Sequence, residues 1–156
     1  MKQKDEAAAF ACALRILTRR DHSEQELSRK LSGKGHSVEA VSASVAKLKE
    51  LNYLDDRRFA TRWVEEALAG RRFFGARLRM ELVRRGIEHD LAAEVVAAAT
   101  EAGNETEQLA ELVARKFPGF DGAIATVGYQ RRVYNFLLRK GFSSSAVIQV
   151  LRKRGA

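Results

Sequence analysis

The hydrophobic positions of this chain recur at helical spacing, and one short pattern of them is written three times. The copies are Glu26-Leu27-Ser28-Arg29-Lys30-Leu31-Ser32-Gly33-Lys34-Gly35, Ala76-Arg77-Leu78-Arg79-Met80-Glu81-Leu82-Val83-Arg84-Arg85-Gly86 and Arg132-Val133-Tyr134-Asn135-Phe136-Leu137-Leu138-Arg139-Lys140-Gly141. Aligning Leu31, Leu82 and Leu137 brings Gly35, Gly86 and Gly141 into register, and with them Leu27, Leu78 and Val133 one turn earlier. Apolar residues four apart share one helix face, and a glycine just past the last turn is the usual left-handed stop. Each copy is therefore predicted to be a helix that ends at its glycine.

The segments between the copies read as further helices. Residues 5–20 place Phe10, Ala13, Leu14 and Leu17 on one face. Ser23, with Glu26 three residues on, forms a capping box for the first copy. Ser37 caps a third helix, with Val38, Val41, Val45 and Leu48 inward. Asn52-Tyr53-Leu54-Asp55-Asp56 ends it, and either aspartate can cap the next helix. That fourth helix turns Phe59, Trp63 and either Val64 or Leu68 inward and stops at Gly70. Arg71-Arg72-Phe73-Phe74-Gly75 leads into the central copy, and a sixth helix over 88–100 carries Leu91, Val95 and Val96. Ala102-Gly103-Asn104-Glu105 reads as a linker. A seventh helix over 105–117 ends at Pro118-Gly119, and the connector Asp121–Gly128 leads to the third copy, Tyr129–Lys140. Ser143, Ser144 or Ser145 caps a ninth helix with Val147, Val150 and Leu151 inward.

This organisation predicts an all-α protein of three tandem three-helix repeats, residues 1–56, 57–103 and 104–156. A unit of roughly 50 residues lies in the range of stacked repeat arrays. Its core alone is small, so neighbours are expected to stack into an elongated, curved array.

Composition supports the helical reading and narrows the function. The chain has 156 residues, 46% hydrophobic, with a single proline and abundant Ala, Leu, Arg and Glu. No apolar run approaches the roughly 18 residues needed to span a bilayer. Asp5 and Glu6 break the basic start, and Arg15 interrupts the Ala-rich stretch that follows, so a secretory signal is not expected. The sequence reads as cytoplasmic, with no membrane partner. Cys12 is the only cysteine, which rules out an intrachain disulfide and a thiol zinc cage. It reads as a small core residue. His22 and His36 in the first repeat and His89 in the second have no metal-ligand spacing and read as surface residues near helix ends. Phosphate-loop and nucleophile-elbow motifs are absent, and adjacent Asp55 and Asp56 read as caps. Neither an enzyme nor a cofactor is expected.

What remains is charge. The net charge of +8 is loaded towards the end: residues 1–56 hold 10 Lys+Arg against 9 acids, 57–103 hold 9 against 7, and 104–156 hold 9 against 4. Arg71, Arg72, Arg77, Arg79, Arg84 and Arg85 occupy the central connector and helix. Arg131, Arg132, Arg139 and Lys140 occupy the equivalent helix of the last repeat, and Arg152, Lys153 and Arg154 trail the final one. Guanidinium forks suit phosphate and carboxylate, and Phe73, Phe74 and Tyr134 offer stacking surface for unpaired bases. Taken singly, each arginine reads as a solvated charge or a partner for Glu81 or Glu88. Taken together, the clusters predict a polyanionic partner.

The chain resembles the RecX family of bacterial regulatory proteins over nearly its whole length. The resemblance rests on Leu17-Thr18-Arg19-Arg20-Asp21-His22-Ser23-Glu24-Gln25-Glu26-Leu27, on Tyr53-Leu54-Asp55-Asp56-Arg57-Arg58-Phe59-Ala60 with 75–82, and on Leu137-Leu138-Arg139-Lys140-Gly141-Phe142-Ser143. It implies tandem three-helix repeats and binding along the groove of the RecA filament on single-stranded DNA. Further implications are direct DNA contact by a monomer, inhibition of the recombinase's ATPase and strand exchange, and no catalytic residues. Two features depart from the family pattern: Gly75-Ala76 where Gly-Pro opens the central helix, and the long Pro118–Gly128 connector. An alternative is a helix-turn-helix DNA-binding regulator, for which only Ala146–Arg154 offers base-reading side chains. A plain helical scaffold with solubilising arginines is a third reading.

Overall fold

The protein is described here by a computed structural model covering residues 1–101 and 105–155. Among the described residues all regular structure is helical. The helices are α1 (Lys2–Arg19), α2 (Glu24–Gly33), α3 (Val38–Glu50), α4 (Asp56–Ala69), α5 (Gly75–Arg84), α6 (His89–Glu101), α7 (Glu105–Lys116), α8 (Val127–Lys140) and α9 (Ser144–Lys153). They follow one another in three tandem triplets. The linker expected at Ala102–Glu105 lies outside the described residues, except that Glu105 opens α7.

The threefold pattern survives in full at the level of single residues. Leu27, Leu31, Leu78, Leu82, Val133 and Leu137 are all completely buried. Each such side chain is worth about 1.5–3 kcal/mol when taken out of water, which makes this stripe the reason α2, α5 and α8 dock by the same face. Gly35, Gly86 and Gly141 have φ of +90°, +89° and +108°, the left-handed region that stops each helix. Caps set the helix starts. Ser23 and Glu26 form the reciprocal capping box on α2, while Ser37 and Ser143 accept the N–H of Ala40 and Ala146. Of the two aspartates, Asp55 caps its own helix through the Arg58 amide at 3.0 Å. Asp56 instead accepts the Glu24 amide at 2.8 Å, at the start of α2.

Four expectations are corrected. Val38 is 79% exposed, because it sits in the first turn of α3, and the core positions there are Ala40, Val41, Ser44 and Leu48. On α4, Val64 takes the inward place with Phe59, Ala60 and Ala67, and Trp63 is only half-buried. Helix α8 begins two residues early, at Val127, because Thr126 caps it by accepting the Tyr129 amide at 3.2 Å. His22 is 3% exposed rather than at the surface.

The chain forms two compact units, Met1–Arg62 with Leu82–Ala92, and Trp63–Glu81 with Ala93–Ala156. In the first, Cys12, Ala13, Leu27, Leu31, Val41, Leu48 and Leu54 make the core, with Phe10, Leu14 and Leu17 against it. In the second, the core of α7, α8 and α9 admits one residue from the central connector, Phe74, whose ring stacks on Phe142 at 4.4 Å.

Candidate functional site

The cations singled out by sequence divide into those that hold the fold and those that face outward. Arg77 belongs to the first kind. Its Nε donates to Glu81 Oε1 at 3.0 Å, Glu81 is buried, and the guanidinium lies 5.2 Å from the Phe73 ring centre. The i,i+4 spacing on α5 and the apolar wall of Phe73 create this arrangement. Lys140 also serves the structure. It is half-buried at the end of α8, its Nζ donates to the Arg72 carbonyl at 3.4 Å, and it lies 5.5 Å from the centre of Phe136.

Arg71 sits in the turn after α4 with φ +52° and faces Glu111 across 3.8 Å, with both side chains well exposed, so this pair contributes little. Arg72 and Arg79 are exposed. Arg79 lines a groove of about 500 Å³ with Phe74, Glu105, Gly141, Phe142 and Ser143. Arg84 and Arg85 lie at the end of α5, and the Arg85 carbonyl accepts the Ser23 hydroxyl.

Helices α8 and α9 carry the most open set. Arg131, Arg132, Arg139, Arg152 and Lys153 are exposed, with Arg154 half-buried. The fold brings Arg131 and Arg152 to one groove of about 530 Å³, lined also by Tyr134, Val127 and Ile148. Val127 there is 72% exposed. Of the aromatics proposed for base stacking, Tyr134 therefore remains in place. Phe74 does not, being buried against Phe142, and Phe73 stacks on Trp63 at 6.1 Å. Glu88, one candidate partner for these arginines, instead caps α6 through the amides of Asp90 and Leu91, each at 3.2 Å.

Sequence reasoning missed a second basic cluster, in the first repeat. Arg15 and Arg19 on α1 converge with Lys30 and Lys34 of α2 on a concavity of about 430 Å³. The i,i+4 spacing of each pair was the available signal. A repeat with nearly balanced charge concealed it.

Among the described residues there is no group of three or more His, Cys, Asp or Glu placed to hold a metal, and no helix long and apolar enough to cross a membrane. His36 is engaged with Asp5, Nδ1 to Oδ1 at 2.9 Å.

Comparison with known proteins accounts for the three triplets. Residues 9–48, 55–96 and 104–151 match the first, second and third three-helix domains of RecX. The regulatory protein RecX of Trichlorobacter lovleyi is 37% identical over 144 residues, covering 92% of this chain and 94% of that protein. The RecX of Syntrophotalea carbinolica is 33% identical over 141 residues, covering 90% and 92%. Among solved structures, RecX from Lactobacillus salivarius has the same fold, with a TM-score of 0.81 at 20% identity over 97% of both chains. With all three repeats matched in order and relatives aligned nearly end to end, the chain belongs to the RecX family of regulatory proteins.

Proposed function

We propose that this protein is a cytoplasmic, non-catalytic regulator that binds the RecA filament on single-stranded DNA and lowers its ATPase and strand exchange. It would act as a monomer, built of repeats 1–56, 57–103 and 104–156, and so restrain recombination, DNA repair and the SOS response. The observation that carries this reading is the family membership across all three repeats. Charge adds support. The last repeat holds nine cations against four acids, and Arg131, Arg132, Arg139, Arg152 and Lys153 stand exposed on it. Planar forks of this kind donate paired hydrogen bonds to carboxylates on a protein as readily as to phosphates. Arg71, Arg72, Arg79, Arg84, Arg85 and Arg154 complete the proposed contact set, while Arg77 and Lys140 act through the fold.

The test is DNA-dependent ATP hydrolysis by the cognate recombinase, titrated with this protein at moderate salt with single-stranded DNA in excess. The expected result is inhibition at well below one protein per recombinase subunit. Unaltered hydrolysis with a folded protein would overturn the reading and favour the DNA-binding regulator, which sequence-specific footprinting would then detect.

A further inference from the structure

The first repeat carries a basic concavity that the reading above does not use. Five cations surround it: Arg15, Arg19 and Arg20 from α1 and its end, and Lys30 and Lys34 from α2 and its C-cap, with His22 in the wall. Only Arg20 has a carboxylate, Glu26 Oε2 at 3.3 Å. Among the described residues, Arg15, Arg19, Lys30 and Lys34 make no ion pair. Like charges four apart on one helix repel, as Arg15 and Arg19 do on α1, and Lys30 and the C-cap Lys34 stand at the same spacing.

Helix dipoles offset part of this repulsion, since α1 and α2 both end at the concavity. A helix C-terminus is equivalent to roughly half a negative charge, so two of them supply about one. Together with Glu26 they cancel fewer than half of the five positive charges. The remainder calls for an anion from outside.

His22 supplies the second observation. It is 3% exposed, and its Nδ1–H donates to the Arg20 carbonyl at 2.9 Å, because a carbonyl can only accept. That leaves Nε2 buried without a hydrogen-bond partner. A buried polar atom of this kind is uncommon, and here it borders a concavity ringed by cations. Burial holds the ring below the usual histidine range against the opposing pull of the hydrogen bond to the Arg20 carbonyl; the charges of Arg20 and Lys30 depress it further, and Glu26 raises it.

We propose that this concavity binds a phosphate group, held by Arg15, Arg19, Lys30 and Lys34 above His22. The site would give the first repeat its own phosphate contact. The phosphate comes either from a nucleic-acid backbone or from a small phosphorylated ligand, and both offer the same oxygens to the same forks.

The experiment is a titration of the full-length protein followed by nuclear magnetic resonance of its histidine rings. Inorganic phosphate is one arm and a short oligothymidylate the other. His22 is identified by its disappearance in His22→Gln. Saturable movement of the His22 resonances towards the protonated ring, with exposed His89 unmoved, is the expected result. Arg19→Gln with Lys34→Gln, both at exposed positions, should raise the dissociation constant about tenfold or more through the loss of two charge-assisted contacts, while helicity is unchanged. Tighter binding of oligothymidylate than of phosphate assigns the site to nucleic acid, and binding of phosphate alone assigns it to a small ligand. A His22 signal indifferent to both probes, or equally responsive in the double variant, would overturn the proposal.

Discussion

The amide of Phe74 donates to the carbonyl of Lys140 at 2.8 Å, so the start of α5 is hydrogen-bonded to the end of α8. The same relationship occurs one repeat earlier in a different chemical form. There the Ser23 hydroxyl donates to the Arg85 carbonyl, joining the start of α2 to the end of α5. Ser23 and Phe74 each stand four residues before the first aligned apolar position, and Arg85 and Lys140 each precede the stop glycine. A helix end leaves carbonyls without partners, and in both cases the preceding repeat supplies a donor. Gly86 and Gly141 therefore have a second duty beyond their positive φ. They let the preceding helix start come close.

That duty predicts a graded series. A Cβ on Gly35 would meet nothing within 4 Å, one on Gly86 would run into the Gln25 side chain, its backbone-fixed Cβ included, and one on Gly141 would run into the Phe74 carbonyl. Gly35→Ala should cost about 1–2 kcal/mol, the left-handed penalty alone. Gly86→Ala and Gly141→Ala should each cost more, Gly141→Ala above about 3 kcal/mol, because neither the Gln25 Cβ nor the Phe74 backbone can swing aside. Urea unfolding of the three variants gives the order, and equal losses would refute it.

Asp5 accepts from His36 and from the Ser37 amide at 3.0 Å, and these contacts hold its carboxyl down at about 2. A carboxylate whose folded pKa lies below its unfolded value contributes stability above the unfolded value. That contribution should be whole at neutral pH, decline below about pH 4 and be gone once the pH falls through about 2. Thermal unfolding of wild type and Asp5→Asn, followed down in pH, should show two curves that converge in that window.

Asp56 behaves in the opposite sense. Burial, the largest influence, pushes its carboxyl up, and the hydrogen bond from the Glu24 amide only partly offsets this. A raised carboxyl gives a folded state that gains stability as the pH falls through the folded value. Asp56→Asn keeps an oxygen for the Glu24 amide without the buried charge, so it should be near neutral at pH 7. Asp56→Ala, which removes the acceptor at the start of α2, should cost about 1 kcal/mol. Paired denaturation curves at pH 7 decide between these two expectations.

The exposed cations of the last repeat are predicted to matter to the partner and not to the fold. Arg131→Glu, Arg132→Glu, Arg139→Glu and Arg152→Glu together should leave helicity intact, since none has a carboxylate partner among the described residues. Inhibition of the recombinase should weaken by at least about tenfold, and its dependence on salt should flatten. Unchanged inhibition would remove this face from the contact surface.

Arg77 provides the contrast within the same sequence signal. Its guanidinium holds the buried Glu81 and covers Phe73. Arg77→Ala should therefore lower stability by about 1–3 kcal/mol, and a stabilised background should recover function. Calorimetry alongside the ATPase assay separates the two effects.

Much of the fold was legible because it is local. A helix face needs apolar residues four apart, a capping box spans four residues, and a left-handed stop needs one glycine. Leu27 to Gly35, Leu78 to Gly86 and Val133 to Gly141 each hold the stripe and the stop within a few turns, and Ser23 with Glu26 adds the capping box to the first. The candidate site was far less legible. Arg77 and Arg79 stand two apart on α5 and look alike in sequence, yet one is spent on Glu81 and the other lines a groove. Phe74 looked available for stacking until Phe142 covered it.

The sequence by itself determined three helical triplets, the caps at Ser23 and Ser37, their buried stripe and their glycine stops, because each depends on residues within hydrogen-bonding reach along one chain segment. Tertiary structure alone decided the rest. It carried Asp56 to the start of α2 and Phe74 into the core of the last repeat. It also closed Arg15 and Arg19 against Lys30 and Lys34 around His22. Those outcomes join residues far apart in sequence, and a charge or a ring acquires its role from whatever the fold sets against it.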